Sequence, residues 1–213
     1  MDDIDLPLQD RKQAAELLAE RLSHLRGSNP LILAIPRGAV LMGRIIADRL
    51  EGELDVVLVR KIPSAIDPEL AVGAVDEHGN RELASYFNRT RTSMEWVELQ
   101  TLEQIELMRR RRSSYGAKRP PAAPEGRIVV VVDDGLATGS TMAAALRSTR
   151  ARKPRQLIAA IPVAAPDSLE VIAPLCDDIV YLAAPMNFTS VSRHYRSFPQ
   201  VSEEDVLDLL TSQ

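Results

Sequence analysis

The residues best placed to do chemistry lie together in the run VVVVDDGLATGST, from Val129 to Thr141. Four valines read as a strand buried on both faces. Asp133 and Asp134 follow where that strand must end. Ala137, Thr138, Gly139, Ser140 and Thr141 then lead into an apolar stretch with helical spacing. Small residues at the start of a helix offer backbone N–H groups, and here three hydroxyls, to an anion such as phosphate. Gly139 lets the chain approach that anion with no side chain between them. Two carboxylates beside a phosphate are reasonable if the ligand carries vicinal hydroxyls. Asp133 and Asp134 would then accept hydrogen bonds from a ribose diol, directly or through Mg2+ and its water, while residues 137–141 hold the 5-phosphate. Rival nucleotide loops fit poorly: there is no Gly-Lys before the Ser/Thr, and no Gly-x-Gly-x-x-Gly. A bare Ser/Thr helix cap would require neither the paired acids nor five consecutive small residues.

Such a loop needs a scaffold. Short β-rich runs occur at Leu31 to Ile35, Val56 to Val59, Leu70 to Val75, Ile128 to Val132, Leu157 to Val163 and Ile179 to Leu182. Helical spacing fills Arg11 to Leu25, Val40 to Leu50, Thr141 to Arg150 and Asp167 to Ala173. The alternation predicts an α/β fold with a mostly parallel central sheet, and ligands then bind beyond the carboxyl ends of its strands. One long helical segment, Ser93 to about Tyr115, breaks the rhythm. It ends in Arg109 to Arg112 and a proline-rich exit from Pro120 to Pro124. Residues 81–124 are therefore read as a helical insertion within a single domain spanning 1–213, and residues 184–213 as a C-terminal hood and tail.

Bulk properties narrow the class. A chain of 213 residues that is 45% hydrophobic and only 4% aromatic must build its core from aliphatic side chains, as a helix-covered sheet does. The net charge of -4 argues against sequence-independent nucleic-acid binding. Cys176 stands alone, which excludes an intrachain disulfide and a cysteine cage for metal. The acidic start, Met1 to Asp5, lacks the blocks of a signal peptide, and no apolar run approaches membrane-spanning length. A cytoplasmic protein with no membrane partner is expected.

Residues 129–141 resemble the 5-phosphoribosyl-1-pyrophosphate (PRPP) signature of type I phosphoribosyltransferases, in the variant with Ala-Thr-Gly found in adenine phosphoribosyltransferases. The wider chain, from about residue 10 to 210, is similar to a group of small bacterial proteins given that family name. The match includes the segments PRGA at Pro36–Ala39, VRK at Val59–Lys61 and PELAVGA at Pro68–Ala74. The resemblance implies a Rossmann-like three-layer fold with a small hood. It also implies a Mg2+-dependent glycosyl transfer: a nucleobase or similar nitrogen nucleophile displaces pyrophosphate from C1 of the ribose, as in nucleotide salvage. By the same resemblance Pro36, Arg37 and Gly38 form the pyrophosphate loop, often built on a strained or cis peptide. Arg60 and Lys61, at the end of the second core strand, face the same crevice. Asp133, Asp134, Arg37 and Lys61 carry catalysis, with Mg2+ touching the two acids only through substrate and water.

Two departures bear on the acceptor. Ala137 stands where hypoxanthine-guanine enzymes have an aspartate, and the loop that closes over adenine enzymes has no counterpart. Glu69, Asp76 and Glu77 are the acids that remain for a general base, although each also reads as surface or structural. Phe188, His194 and Tyr195 are the aromatic candidates to stack on a flat base. A second reading keeps the fold as a PRPP-sensing regulator that binds nucleic acid through Arg109 to Arg112, Lys118 and Arg119. Four consecutive arginines point in several directions around a helix, however, and suit its C-terminal dipole. The amphipathic insertion is compatible with a homodimer.

Overall fold

In the computed structural model, residues 4–115 and 121–211 are described. Lys118, Arg119 and Pro120 lie outside them.

Eight strands and six α-helices follow in the order α1 (Arg11–Arg21), β1 (Leu31–Ala34), α2 (Ala39–Leu50), β2 (Glu53–Val56), β3 (Val59–Pro63), β4 (Ala71–Asp76), β5 (Arg81–Leu83), α3 (Met94–Ser114), β6 (Ile128–Val132), α4 (Ser140–Ala151), β7 (Gln156–Val163), α5 (Pro166–Ile172), β8 (Asp178–Ala183) and α6 (Glu203–Thr211). Five strands form one parallel sheet in the order β2-β1-β6-β7-β8. β-Branched and aliphatic residues favour these strands, and all five residues of β6 are buried.

Side-chain alternation divides the core into two layers. Ile32, Ala34, Val130, Val132, Ile158 and Ala160 join the cluster that includes buried residues of α1 and α2. Their odd-numbered neighbours Leu31, Leu33, Val129, Val131, Leu157 and Ala159 pack with Met142 and Leu146 of α4 and Ile172 of α5. A sheet covered on both faces is the three-layer α/β arrangement expected. The chain turns back between β1 and β6: from β1 it continues outward to β2, and it later returns to add β6 on the opposite side. That switch point is where an open α/β sheet leaves a crevice.

Two expectations need correction. The run Leu70 to Val75 does not enter the parallel sheet. β3, β4 and β5 form a separate antiparallel sheet. Its second turn is held by Asp76, which accepts hydrogen bonds from the backbone of His78 and Asn80 and, at 2.6 Å, from Ser148 of α4. Val56 to Val59 is likewise not one strand, since β2 ends at Val56 and β3 begins at Val59. The departure from the main sheet thus starts at Val59, well before residue 81.

α3 is longer than any other helix here, at 21 residues. Ser93 caps it by accepting the Trp96 N–H at 3.2 Å. Its arginines are largely spoken for. Arg110 pairs with Glu106 at 3.0 Å and Arg111 with Glu203 of α6 at 3.2 Å. Arg112 ties Asp55, Glu77 and the Val56 carbonyl together, which binds α3 to the edge of the main sheet.

Candidate functional site

Two loops meet at the switch point. The first, Pro36 to Gly38, leaves β1, and the Ile35 N–H donates to the Val132 carbonyl at 2.9 Å, so the strand pairing runs right up to it. The Pro36–Arg37 peptide is cis. Arg37 is exposed; its carbonyl accepts the Val40 N–H at 3.2 Å, and its guanidinium makes no hydrogen bond or ion pair among the described residues. Gly38 opens α2 with ordinary helical angles, φ -56 and ψ -37, so it is not needed for conformation. It is needed for space: a Cβ there would lie 2.0 Å from the Asp134 Oδ2 and 3.0 Å from the Arg11 Nη2.

The second loop runs from Asp133 to Gly139 and is built into the sheet end. The Asp133 N–H donates to Ala160 and the Leu136 N–H to Val163, while the Ala137 carbonyl accepts the Ser168 hydroxyl at 2.5 Å. Gly139 has φ +73, a left-handed angle that a side chain would strain, and it begins α4. The first N–H groups of a helix lack intrahelical acceptors, and here they belong to Ser140, Thr141 and Met142. The Thr138 and Ser140 hydroxyls lie 2.9 Å apart beside them. With Asp133, Gly135 and Val191, residues 136–142 line a cleft of about 150 Å³. Its backbone and hydroxyl donors suit an anion.

The paired acids differ sharply. One oxygen of Asp134 accepts both Nε and Nη2 of Arg11, at 2.9 and 2.7 Å, and its main-chain carbonyl accepts the Tyr195 hydroxyl at 2.7 Å. Among the described residues Asp133 accepts only the backbone N–H of Asp134, at 2.9 Å, and it lines the cleft. Burial, and then the neighbouring Asp134 charge, push the Asp133 carboxyl well above the usual carboxylate range.

Not every candidate from the sequence is gathered here. Arg60 lies inside β3, not at the end of a core strand. Its Nε donates to Gln104, and it lines a second small cleft with Pro36, Leu107, Met108, Arg111 and Thr141. Lys61, the next residue on the strand, is exposed and absent from that lining, because successive strand residues point to opposite faces. Tyr195 is a second correction. It is buried, its hydroxyl is committed to Asp134, and its ring rests on Phe198 with centroids 4.8 Å apart. Phe188 and His194 stack on each other at 5.1 Å. Among the acids weighed as a base, Asp76 and Glu77 serve structure, and Glu69 is exposed.

Sequence reasoning missed Arg11 and Arg111. Arg11 carried one signal, a cation in the first turn of a helix, where the dipole disfavours it. Arg111 was hidden in a run of four arginines.

Residues 8–185 match the family model described as the phosphoribosyl transferase domain. In two strains of Mycobacterium tuberculosis, CDC 1551 and H37Rv, a protein named "Putative phosphoribosyl transferase" is 39% identical over 206 residues, covering 94% of this chain and 46% of that protein. The chain spans about half the length of the curated relatives it matches. The crystal structure of TT1426 from Thermus thermophilus matches with a TM-score of 0.86 at 40% identity, over 96% of this chain and 98% of that one.

Proposed function

The chain belongs to the phosphoribosyl transferase family, and on that footing we propose that it is a PRPP-dependent phosphoribosyltransferase acting on a nucleobase or similar nitrogen nucleophile. The observation that carries this reading is the contact between the two loops at the switch point. Gly38 of one lies directly against the Asp134 carboxylate of the other, so a pyrophosphate site and a ribose site share a wall.

In this reading the N–H groups opening α4 and the hydroxyls of Thr138, Ser140 and Thr141 hold the 5-phosphate. Asp133 and the free oxygen of Asp134 accept hydrogen bonds from the ribose hydroxyls. Arg37, whose guanidinium has no hydrogen bond to give up among the described residues, and the backbone around Gly38 meet the pyrophosphate. The attacking nitrogen forms its bond to C1 as the C1–O bond to pyrophosphate breaks. Both electrons of that bond leave with pyrophosphate, and the nitrogen sheds its proton to water or a nearby base. Charge spreads positively over the ring and negatively over the leaving group, so fixed dipoles and positioning do most of the work.

The residues also fit a magnesium ion held mainly by substrate oxygens and water. Asp133 presents a hard-oxygen carboxylate with no cationic side chain bonded to it. When bound, the ion supplies neutralising charge on the pyrophosphate. Arg60 and Arg111, beside Pro36 and Thr141, are the other cations within reach of that end of the crevice. Of the basic cluster behind the regulatory reading, Arg110, Arg111 and Arg112 are paired with acids of the same chain.

Calorimetric titration with PRPP, with and without Mg2+, tests the proposal, followed by a pyrophosphate-release screen over nucleobases. Saturable, magnesium-enhanced binding and release with one base are expected. Absence of PRPP binding would overturn the assignment, and the double substitution Asp133→Asn, Asp134→Asn should abolish whatever binding the native protein shows.

A further inference from the structure

Arg11 is unusual before any function is considered. It is the first residue of α1, where the helix dipole opposes a cation, yet its side chain is only 8% exposed. Every nitrogen of the guanidinium is used. Nε and Nη2 donate to one oxygen of Asp134, and Nη1 donates to the Pro199 carbonyl at 2.7 Å. The Phe198 ring lies 3.6 Å from the guanidinium carbon. A group so fully engaged has little left to offer a substrate, so its role must run through Asp134.

Asp134 is correspondingly confined. Arg11 fills one side of its Oδ2, the Cα of Gly38 leaves no room for another atom, and Tyr195 holds the main chain of the same residue. Tyr195 is itself anchored to the chain start. It forms a bridge with Leu8, whose N–H donates to the His194 carbonyl and whose carbonyl accepts the Arg196 N–H, both at 2.8 Å. Residues 8–11 and 194–199 therefore converge on Asp134 and make no hydrogen bond to the Asp133 carboxylate.

We propose that Arg11, braced by Phe198 and Pro199, is a positioning residue that fixes Asp134 so that its second oxygen is presented to a ribose hydroxyl. The inference rests on the PRPP reading for the identity of the hydroxyl, but not for the coupling between Arg11, Asp134 and the 194–199 segment. The two acids divide their work: Asp134 is a rigid acceptor, held by Arg11, and Asp133 remains the adaptable one facing the cleft.

The test uses the full chain with Arg11→Met, Arg11→Lys and Asp134→Asn, singly and with Arg11→Met and Asp134→Asn combined. Affinity for Mg-PRPP and for Mg-pyrophosphate alone is measured by calorimetry, and amide hydrogen exchange is followed over residues 133–139 and 194–201. Arg11→Met should weaken PRPP by about tenfold or more while pyrophosphate stays within about twofold, because pyrophosphate does not use Asp134. Arg11→Lys, which restores a point charge without the fork, should recover part of the loss. In the Asp134→Asn background the Met substitution should add little. Additive losses, or equal losses for PRPP and pyrophosphate, would show a general structural role and overturn the proposal. If Arg11→Met does not fold, Arg11→Lys and the cycle partner Phe198→Leu decide by the same comparison. Should the native protein fail to bind PRPP, the functional reading falls, and exchange decides the rest. Faster exchange in both segments on Arg11→Met supports the coupling, and unchanged exchange refutes it.

Discussion

Replacing Gly38 with alanine should be harmful for a reason that backbone preference alone would reverse. At φ -56 and ψ -37 the residue already sits in helical space, where Gly→Ala without other consequences stabilises by at most about 1 kcal/mol. The new methyl carbon, however, would fall 2.0 Å from the Asp134 Oδ2. That oxygen must retreat by more than about 1 Å to reach ordinary contact. It is the same atom that accepts both hydrogen bonds from Arg11, and charge-assisted hydrogen bonds contribute roughly 1.5–3 kcal/mol each. With side-chain exposures of 8% and 18%, solvent recovers part of the loss, and the low end of that range applies. The balance is a destabilisation of about 2 kcal/mol, or a fall in Tm of about 4–8 °C for a chain of this size. Thermal unfolding by circular dichroism measures it. Gly27→Ala is the control: φ there is +77 with open space around the Cβ, so it should cost about 1–2 kcal/mol through the backbone alone and leave PRPP affinity intact. A Gly38→Ala protein with native or raised Tm and unchanged PRPP affinity would refute the close packing of the two loops.

Other outcomes follow from the same structure. Arg112→Ala should lower stability by about 2–4 kcal/mol, because Asp55 and Glu77 are left half-buried without their shared cation; urea denaturation checks this, and a change below about 0.5 kcal/mol would mean the network is ornamental. His194 bears on pH. Its desolvated ring, with Nε2 buried and unpartnered, has a folded pKa below its ordinary value of 6.5. The unfolded chain therefore binds the proton more readily, so this stability is present above about pH 6.5 and is lost as the pH falls through that value toward the folded pKa. Comparing Tm between pH 8 and pH 5 should show His194→Phe losing less than the native protein on acidification, and parallel curves would remove His194 from the account.

Much of the site was legible because its chemistry is local. The valines of β6, the two acids and the small residues opening α4 are contiguous, and each residue type states its own requirement. The loop at Pro36 to Gly38 was singled out through the family resemblance, and Gly38 matters for the space it leaves and not for backbone freedom. The antiparallel sheet was missed because Val56 to Val59 and Leu70 to Val75 have the composition of core strands. The discriminating signal was the turn at residues 76–80, with Gly79 at φ +87, which marks a hairpin. Lys61 was misplaced through that same error of strand assignment. Arg11 was hidden for a different reason: its partner Asp134 is 123 positions away and its acceptor Pro199 is 188 away. No window of sequence contains them together, and base stacking could not be separated from core packing for Tyr195 without knowing that Asp134 lay beneath it.

The pinning of residues 8–11 to residues 194–199 sets an order of events during synthesis. Translation adds roughly 5–20 residues per second, so Arg11 is added some 10–40 seconds before Pro199, 188 positions later. Throughout that interval α1 has neither the ring nor the carbonyl that braces its guanidinium, and Tyr195 is not yet there to hold the loop after β6. The sheet can assemble on the nascent chain, but the acidic pair reaches its final geometry only when the segment around Pro199 has emerged and docked. On the proposed reading, the grip on a sugar phosphate is complete only after residues 194–199 have been made and docked.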